Sequence, residues 1–311
     1  MATLPVSVAP GGGGSGLVSY PSMALAIANC EVDTGATGAD DVEITAEGTW
    51  GGVHDTTQVN LSASPHVAAK LIIVPTANNR YNGVYDPNIY TISTVGEALI
   101  GSARIEINGL QIQSTVGGGG VGAAEIGGGG AGDVVLFDGC WFKSPSGGAG
   151  VVSFAGAIAQ LLIRNSVVQD STYGFASIDS PIVCHNTTVR GVDRGYSVLG
   201  STLTAVNSIA DTAAVFGFDG SVTGSNNASA DATAPGVGSI INATFDFESA
   251  VSMLLSRNDL SGAIDGGTSL KLDPTLPVIK DILLRNYLNP PSMGVNQVFL
   301  SSAGLEFGIN F

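Results

Sequence analysis

Three segments of this chain repeat one pattern at a spacing of 21 residues. They read LLIRNSV from residue 161, IVCHNTT from residue 182 and LTAVNSI from residue 203. In each, apolar residues stand four and two positions before an Asn, and a β-branched residue stands two after it. This alternation is typical of a β-strand with one buried face. A repeat of about 20 residues is typical of one coil of a parallel β-helix, whose inner face is buried only by neighbouring coils.

Other parts of the chain follow the same template. A second strand signal, YGF at residue 173, recurs as RGY at 194 and FGF at 216, and earlier coils begin at IEINGL (105) and LFDGC (136). Asn tolerates the left-handed backbone of a tight corner, and stacked amides can hydrogen-bond along the stack. We therefore predict one corner column made of Asn108, Asp138, Asn165, Asn186 and Asn207. Asp138 suits such a corner but interrupts a full amide ladder.

The predicted fold is all-β, a right-handed single-stranded parallel β-helix with an N-terminal cap and a C-terminal β element. Residues 1–16, which end in a glycine-rich run, are predicted to be a flexible arm. Residues 17–100 form the cap and first coils, with a short helix within 18–30 that covers the open end. Residues 101–235 form the coils, interrupted by a glycine-rich loop at 117–132. Residues 236–311 form the C-terminal element, with strands at 245–247 and 307–311.

Charge excludes several classes of partner. Only 12% of residues are charged, and the net charge is −15, with 4 Lys and 7 Arg scattered along the chain. Binding to nucleic acid or to an anionic membrane surface requires clustered cations, so neither is predicted. The sequence contains no run of about 18 apolar residues, so no membrane span is predicted. The first residues lack the basic and apolar regions of a signal peptide, so we expect synthesis in a cytoplasm and release by lysis.

No cofactor or metal site is predicted. Cys30, Cys140 and Cys184 are widely spaced and have no histidine at metal-ligand spacing. Cys140 and Cys184 lie in strand-like runs, where a free cysteine is usually a small buried apolar residue. The glycine-rich stretch at 127–133 contains one copy of a calcium-binding nonapeptide pattern, which needs tandem copies to hold an ion.

The coils resemble the right-handed β-helix proteins of the pectate-lyase-like superfamily. Four N-terminal segments look like β-helix proteins encoded by tailed phages: YPSMALA (20), IIVP (72), RYNGV (80) and IEINGLQI (105). The segments at 264–268, 281–285 and 294–295 are similar to the closing part of secreted β-helix proteins. Ser292 and Met293 depart from that pattern, in which an acidic residue precedes a Gly-Ala pair. The resemblance covers most of residues 18–298 and implies a virion location and a homotrimer.

The superfamily also contains enzymes. Its lyases use acidic calcium ligands with an Arg or Lys base, and its hydrolases use grouped carboxylates. A carboxylate pair acting on one glycosidic bond lies about 5–9.5 Å apart. Most acidic residues of the coils have no acidic neighbour in register. Asp133, Asp138 and Asp170 remain as catalytic candidates if the glycine-rich loop folds back. His185 is expected on the surface, and His54 and His66 have no partner at motif spacing.

Three functions are compatible with these features. The first is a structural component of a tailed-phage virion, either a capsid-surface decoration or fibre or a short tail spike. Its partners would be other virion proteins, further copies of itself and host surface glycan. The second is a polysaccharide lyase or glycoside hydrolase acting on that glycan. The third is a secreted adhesin, which the missing signal pattern disfavours.

Overall fold

The computed structural model describes residues 2–63, 68–101, 104–116, 122–127, 133–145, 147–153, 160–211, 215–249, 252–256, 258–284 and 291–294. The structural findings below concern these residues. They contain one α-helix, α1 (Met23–Thr34), and three short 3-10 turns at Pro10–Gly12, Leu61–Ala63 and Ala77–Asn79.

The strands lie in chain order as follows: β1 (Thr3–Val8), β2 (Val18–Tyr20), β3 (Asp41–Ala46), β4 (Val59–Asn60), β5 (Lys70–Pro75), β6 (Thr91–Thr94), β7 (Leu99–Gly101), β8 (Ile105–Asn108), β9 (Gln111–Ser114), β10 (Gly122–Ile126), β11 (Val134–Asp138), β12 (Trp141–Lys143), β13 (Ala149–Ser153), β14 (Gln160–Arg164), β15 (Val167–Gln169), β16 (Tyr173–Ser177), β17 (Ile182–His185), β18 (Thr188–Arg190), β19 (Arg194–Val198), β20 (Leu203–Val206), β21 (Ile209–Asp211), β22 (Phe216–Asp219), β23 (Thr223–Ser225) and β24 (Ala228–Ser229).

These strands form three sheets in which neighbours are parallel. Sheet 1 has the order β2-β1-β3-β5-β8-β11-β14-β17-β20-β23, sheet 2 the order β6-β9-β12-β15-β18-β21-β24, and sheet 3 the order β4-β7-β10-β13-β16-β19-β22. From β5 onward the chain visits the sheets in turn, as in a parallel β-helix. Register partners are 34 residues apart at Leu71 and Ile105 but 21 apart at Leu161 and Ile182. The predicted 21-residue coil is therefore confirmed for the later, shorter coils.

The interior consists of stacked apolar columns. In sheet 1, one inward column with no solvent exposure runs through Ile73, Ile107, Phe137, Ile163, Cys184 and Ala205. In sheet 3, the rings of Phe175, Tyr196 and Phe218 stack with centroid separations of 5.6 and 4.6 Å. The alternation seen in the repeat is what supplies these columns, because every second residue of a strand points to the same face.

A glycine column stands beside the aromatic one. Gly150, Gly174, Gly195 and Gly217 occupy the second position of successive strands in sheet 3. A Cβ atom on Gly174 would lie 2.2 Å from the carbonyl oxygen of Gly195, and one on Gly195 would lie 2.4 Å from that of Gly217. The glycines of the YGF, RGY and FGF triplets are thus required by the close approach of adjacent coils.

The helix α1 lies at the N-terminal end of the solenoid, where β1, β2 and β4 contact it. Ser22 caps its first turn, and Gly35, with φ +68°, ends it. The buried Asp55 carboxylate accepts a hydrogen bond from the Met23 amide at 2.7 Å, which stabilises the positive end of the helix dipole. The side chains of Ile27 and Cys30 enter the core. The predicted cap helix is confirmed, although it ends four residues later.

The other end of sheet 3 is also covered. In the part of the chain that the structure describes, no strand pairs with the far side of β22, yet two of its amides are bonded. The Gly217 amide donates to Asp231 Oδ2 at 2.8 Å, and the Phe218 amide donates to Thr233 Oγ1 at 2.9 Å. Side chains that bond an edge strand in this way prevent it from pairing with another chain.

The flexible arm predicted for residues 1–16 is wrong. Residues 3–8 form β1, which lies between β2 and β3 in sheet 1. Val6 and Val8 are fully buried, because the alternation in this segment supplies an inward face. The end of the glycine run packs directly against β1, since a Cβ atom on Gly16 would lie 2.7 Å from the backbone of Val6.

The glycine-rich loop predicted for 117–132 also needs correction. Its middle part is β10, a strand of sheet 3 between β7 and β13. Ala123, Ala124 and Ile126 are fully buried there, so small side chains suffice to continue the stack. Residues 117–121 and 128–132 lie outside the described part of the chain.

The C-terminal β element is not found in the described residues beyond β24. Phe247 makes only an isolated antiparallel bridge with Leu255, and the strand predicted at 307–311 lies outside the described residues. The chain instead folds back over the outer surface of sheets 1 and 2 as irregular backbone. We call residues 252–256, 258–284 and 291–294 the C-terminal cover.

The three thiols should not react in the native protein. Cys30, Cys140 and Cys184 are free and fully buried, as predicted for the latter two. Burial raises the pKa of Cys30 to about 12 and that of Cys140 to about 12, and the thiolate is the reactive form. We expect no labelling by a thiol-specific disulfide reagent at neutral pH and three labelled thiols per chain in urea. Rapid labelling of the native protein would contradict this packing.

Candidate functional site at the corner between sheets 1 and 2

The corner between sheets 1 and 2 carries a column of residues with left-handed backbone. Its members have φ values between 50° and 67° and are Gly109, Gly139, Asn165, Asn186, Asn207 and Asn226. Asn108 and Asp138 do not belong to it. They stand one position earlier, in register with Arg164, and so form the end of a sheet 1 strand.

The displaced register has a steric reason. In the two earlier coils the corner position is a glycine, and the side chain of Arg80 lies over it. A Cβ atom would lie 2.7 Å from Arg80 at Gly109 and 3.0 Å from it at Gly139. Glycine therefore occupies the corner position in these two coils. The Asn or Asp just before each glycine resembles the corner asparagine of the repeat in sequence but not in position.

Two of the corner asparagines, Asn207 and Asn226, bind the C-terminal cover. Asn207 donates from Nδ2 to the Thr268 carbonyl at 2.7 Å and accepts from the Thr268 amide at 2.8 Å. Asn226 Nδ2 donates to the Gly266 carbonyl at 3.2 Å, and Asn165 Nδ2 donates to Asp138 Oδ1 at 2.9 Å. The bonds of Asn207 and Asn226 fix the path of the cover along the corner.

Apolar contacts hold the cover on the outer face of sheet 2. Trp141 and Val167 form one buried cluster with Met253, Leu254 and Ile282. A second cluster joins sheet 2 to the cover and contains Ile209, Ala228, Phe247, Leu255, Ala263 and Met293. An outward sheet face that would otherwise expose large apolar side chains is thereby removed from water.

His185 was expected on the surface but is only 3% exposed. It points outward from sheet 1, where the cover lies over it. Its Nδ1 atom lies 2.8 Å from the carbonyl oxygen of Leu276, to which the neutral ring donates. Nothing in the local sequence marks this burial, because Leu276 lies 91 residues further along the chain.

The cover should loosen in mild acid. Burial lowers the pKa of His185 below its usual 6.5, and the charge of Arg164 lowers it further. The hydrogen bond to Leu276 and the charge of Asp273 raise this pKa, but they do not outweigh burial. The unfolded chain therefore takes up the proton first, and the stabilisation is lost as the pH falls from 6.5 through the folded pKa. We expect lower protection factors, that is, amide exchange corrected for its intrinsic slowing in acid, in residues 270–278 below pH 6.5. The variant His185→Gln should lack this added pH dependence; an equal loss of protection in both proteins would contradict the assignment.

A cleft of about 220 Å³ opens between the corner and the cover. Asp138, Arg164 and Asn165 form one wall, and Ile279, Lys280, Asp281 and Leu284 form the other. Arg164 donates from Nε to Asp138 Oδ2 at 2.9 Å and from Nη1 to the Pro277 carbonyl at 2.6 Å. The arginine thus joins both walls and keeps Asp138 paired.

The three acidic candidates are not brought together. Asp133 precedes β11, Asp138 ends β11, and Asp170 follows β15, so they stand at three different corners of the coil. The five residues from Asp133 to Asp138 span about 16 Å, beyond the separation of about 5–9.5 Å for a glycosidase pair. Asp170 pairs instead with Lys143 at 2.8 Å. Asp133 lines a different cleft with Glu31 and Arg104.

Within the described ranges no three His, Cys, Asp or Glu side chains are grouped to hold a metal ion. His66 and most of the nonapeptide-like stretch lie outside those ranges. The one helix that the structure describes is too short to cross a membrane.

Searches with protein-family models, curated proteins and solved structures found no match to this chain. The strand register by itself establishes the stacked parallel sheets.

Proposed function

We propose that this chain is a structural component of a tailed-phage virion, a capsid-surface decoration or fibre or a short tail spike, that also contacts host surface glycan. The observation that carries the proposal is a continuous stack of three parallel sheets whose two ends and outer sheet 2 face are covered. Such a stack has a continuous ladder of backbone hydrogen bonds along its axis. Its role in the particle would be mechanical.

A right-handed coil is part of this proposal. Parallel strands joined by crossover connections are right-handed in about 98% of cases, because of the twist of the strands. The homotrimer also belongs here, and it rests on the resemblance to phage β-helix proteins. The covered ends favour side-by-side association of copies over end-to-end growth.

The test is the protein content of the particle. Mass spectrometry of purified particles of the phage that encodes this chain should find it in a fixed ratio to the major capsid protein. Light scattering of the purified 311-residue chain should give the mass of three copies. Particles that contain none of it would overturn the virion role, and a monomeric mass would overturn only the trimer.

The enzymatic alternative is weakened by the separation of Asp133, Asp138 and Asp170. We expect the purified protein to leave the chain length of host capsule or lipopolysaccharide unchanged. Depolymerisation that Asp138→Asn abolishes would reverse this preference.

A further inference from the structure

The chain contains two Asn-Gly pairs, Asn82-Gly83 and Asn108-Gly109. Asparagine is one of the chemically labile residues. Its side-chain amide is lost most readily before glycine, because glycine has no Cβ atom to hinder the approach of its own backbone nitrogen to the asparagine side chain. Since the two pairs have the same local chemistry, a difference in their reactivity has to come from their surroundings.

The pair at Asn108 is held in an unreactive arrangement. Asn108 is only 8% exposed, and its Nδ2 atom donates to the carbonyl of Ile73 at 3.3 Å. The amide of Gly109 donates to the carbonyl of Asp138 at 2.8 Å. The amide group that would leave and the nitrogen that would attack are therefore both hydrogen-bonded.

The pair at Asn82 is open to reaction. The Asn82 side chain is exposed, and its Oδ1 atom accepts a hydrogen bond from the Val84 amide at 3.4 Å. This contact folds the carboxamide over the peptide nitrogen of Gly83. In the described part of the chain the Gly83 amide donates to no group. The attacking nitrogen and the leaving amide are thus both unengaged, and they lie next to each other.

The reaction needs only water. The Gly83 nitrogen loses its proton to water or hydroxide and forms a bond to Asn82 Cγ. The bond between Cγ and Nδ2 then breaks, and the leaving nitrogen takes up a proton and departs as ammonia, which leaves a five-membered succinimide ring. Water opens the ring at either carbonyl and yields aspartate or isoaspartate. Negative charge develops on Oδ1 during the attack, and the Val84 amide that already faces this atom stabilises it.

This pair lies directly against the C-terminal cover. The Gly83 carbonyl accepts from the Met253 amide at 3.0 Å, and Val84 forms an antiparallel bridge with Ser252. A Cβ atom on Gly83 would lie 2.4 Å from the side chain of Leu254, so the contact has no spare room. Isoaspartate places an additional carbon atom in the main chain at residue 82. The residues after it would then shift against a surface that cannot accommodate them.

We propose that Asn82 is a site of spontaneous deamidation, and that its isoaspartate product releases the C-terminal cover from residues 83 and 84. The apolar cluster that joins Trp141 to Met253 and Leu254 would open to water as a result. The protein would therefore change its surface slowly and irreversibly with age. This chemistry belongs to the isolated chain and does not depend on the virion role.

The first test compares the two pairs in one protein. The purified full chain is incubated at mildly alkaline pH, natively and in guanidinium chloride, and peptide mass spectrometry follows deamidation at each asparagine. In the denaturant both pairs should react at similar rates. In the native protein Asn82 should react at least about tenfold faster than Asn108, because the two bonds of the Asn108 pair must break first and each is worth up to about a factor of ten.

The native rate at Asn82 should also rise with pH, because the attacking nitrogen must lose its proton. Similar native rates at Asn82 and Asn108, or a faster reaction at Asn108, would overturn the assignment of the site. Incubation of Asn82→Gln provides the control, because ring closure by the longer side chain is slower and residue 82 should stay unmodified.

The second test measures the effect on the cover. Ion exchange separates the chain that carries isoaspartate at residue 82, and hydrogen exchange should show lower protection factors in residues 252–256 than in fresh protein. Freshly prepared Asn82→Asp adds the same charge without the additional main-chain atom, so it should keep full protection. Full protection in the isoaspartate form, or an equal loss in Asn82→Asp or in aged Asn82→Gln, would overturn the proposed release.

Discussion

Replacing Gly174 with alanine should lower the free energy of unfolding by about 3 kcal/mol or more, at the upper end of the range for overpacked cores. The new Cβ atom would stand 2.2 Å from the carbonyl oxygen of Gly195 and 2.7 Å from the side chain of Val189. The carbonyl oxygen of Gly195 belongs to the backbone of the next coil and cannot rotate away. Relief requires the two coils to separate locally, and this breaks the hydrogen bonds between β16 and β19.

The matched control is Gly13→Ala. Gly13 has a negative φ, and a Cβ atom there would meet no atom within 4 Å. Its replacement should change the free energy of unfolding by less than about 0.5 kcal/mol. Urea unfolding followed by far-ultraviolet circular dichroism measures both variants. A Gly174→Ala protein as stable as the Gly13→Ala protein would show that the coils do not approach as closely as the register implies.

Tyr196→Ala should lower the free energy of unfolding by about 3–5 kcal/mol, the usual result of removing a large buried ring. The ring is fully buried between Phe175 and Phe218, and its plane is inclined by 8° to that of Phe218. Neighbouring coils are held by the sheet ladders and cannot collapse into the space left behind. The cavity would therefore persist at the centre of the stack.

Tyr196→Phe separates the ring from its hydroxyl. The hydroxyl oxygen lies 2.8 Å from Thr187 Oγ1, which also bonds to Ser208 at 2.9 Å. Thr187 therefore keeps one partner in the phenylalanine variant, and the loss should be about 1 kcal/mol. The midpoint temperature of thermal unfolding should be highest for the unchanged protein, lower for Tyr196→Phe and lowest for Tyr196→Ala. A phenylalanine variant as unstable as the alanine variant would place the stabilisation in the hydrogen bond rather than in the stack.

The C-terminal cover links these energetic features to function. It buries the apolar outer face of sheet 2, closes over His185 and supplies one wall of the corner cleft. Every one of these roles depends on residues that are far apart in sequence, as with Asn207 and Thr268, 61 residues apart. Mild acid should therefore loosen the cover through His185 while the coils remain folded.

The coils from about residue 160 to residue 211 and the cap helix could be predicted from the amino-acid sequence. These features are encoded locally: the period of two places Leu161, Ile163 and their equivalents inside, and the repeat of 21 sets the register of one coil on the next. The burial of Cys140 and Cys184 was predictable for the same reason. Such patterns can be recognised without knowing any distant contact.

Other features of the fold depend on contacts between distant parts of the chain. Residues 3–8 became a strand because β3, more than 30 residues away, offers a parallel edge, and β10 formed within glycine-rich sequence because β7 and β13 lie on either side of it. The shift of Asn108 and Asp138 out of the corner column depends on Arg80, and the burial of His185 depends on Leu276. The conformation and exposure of these residues are set by distant partners, which a local pattern does not encode.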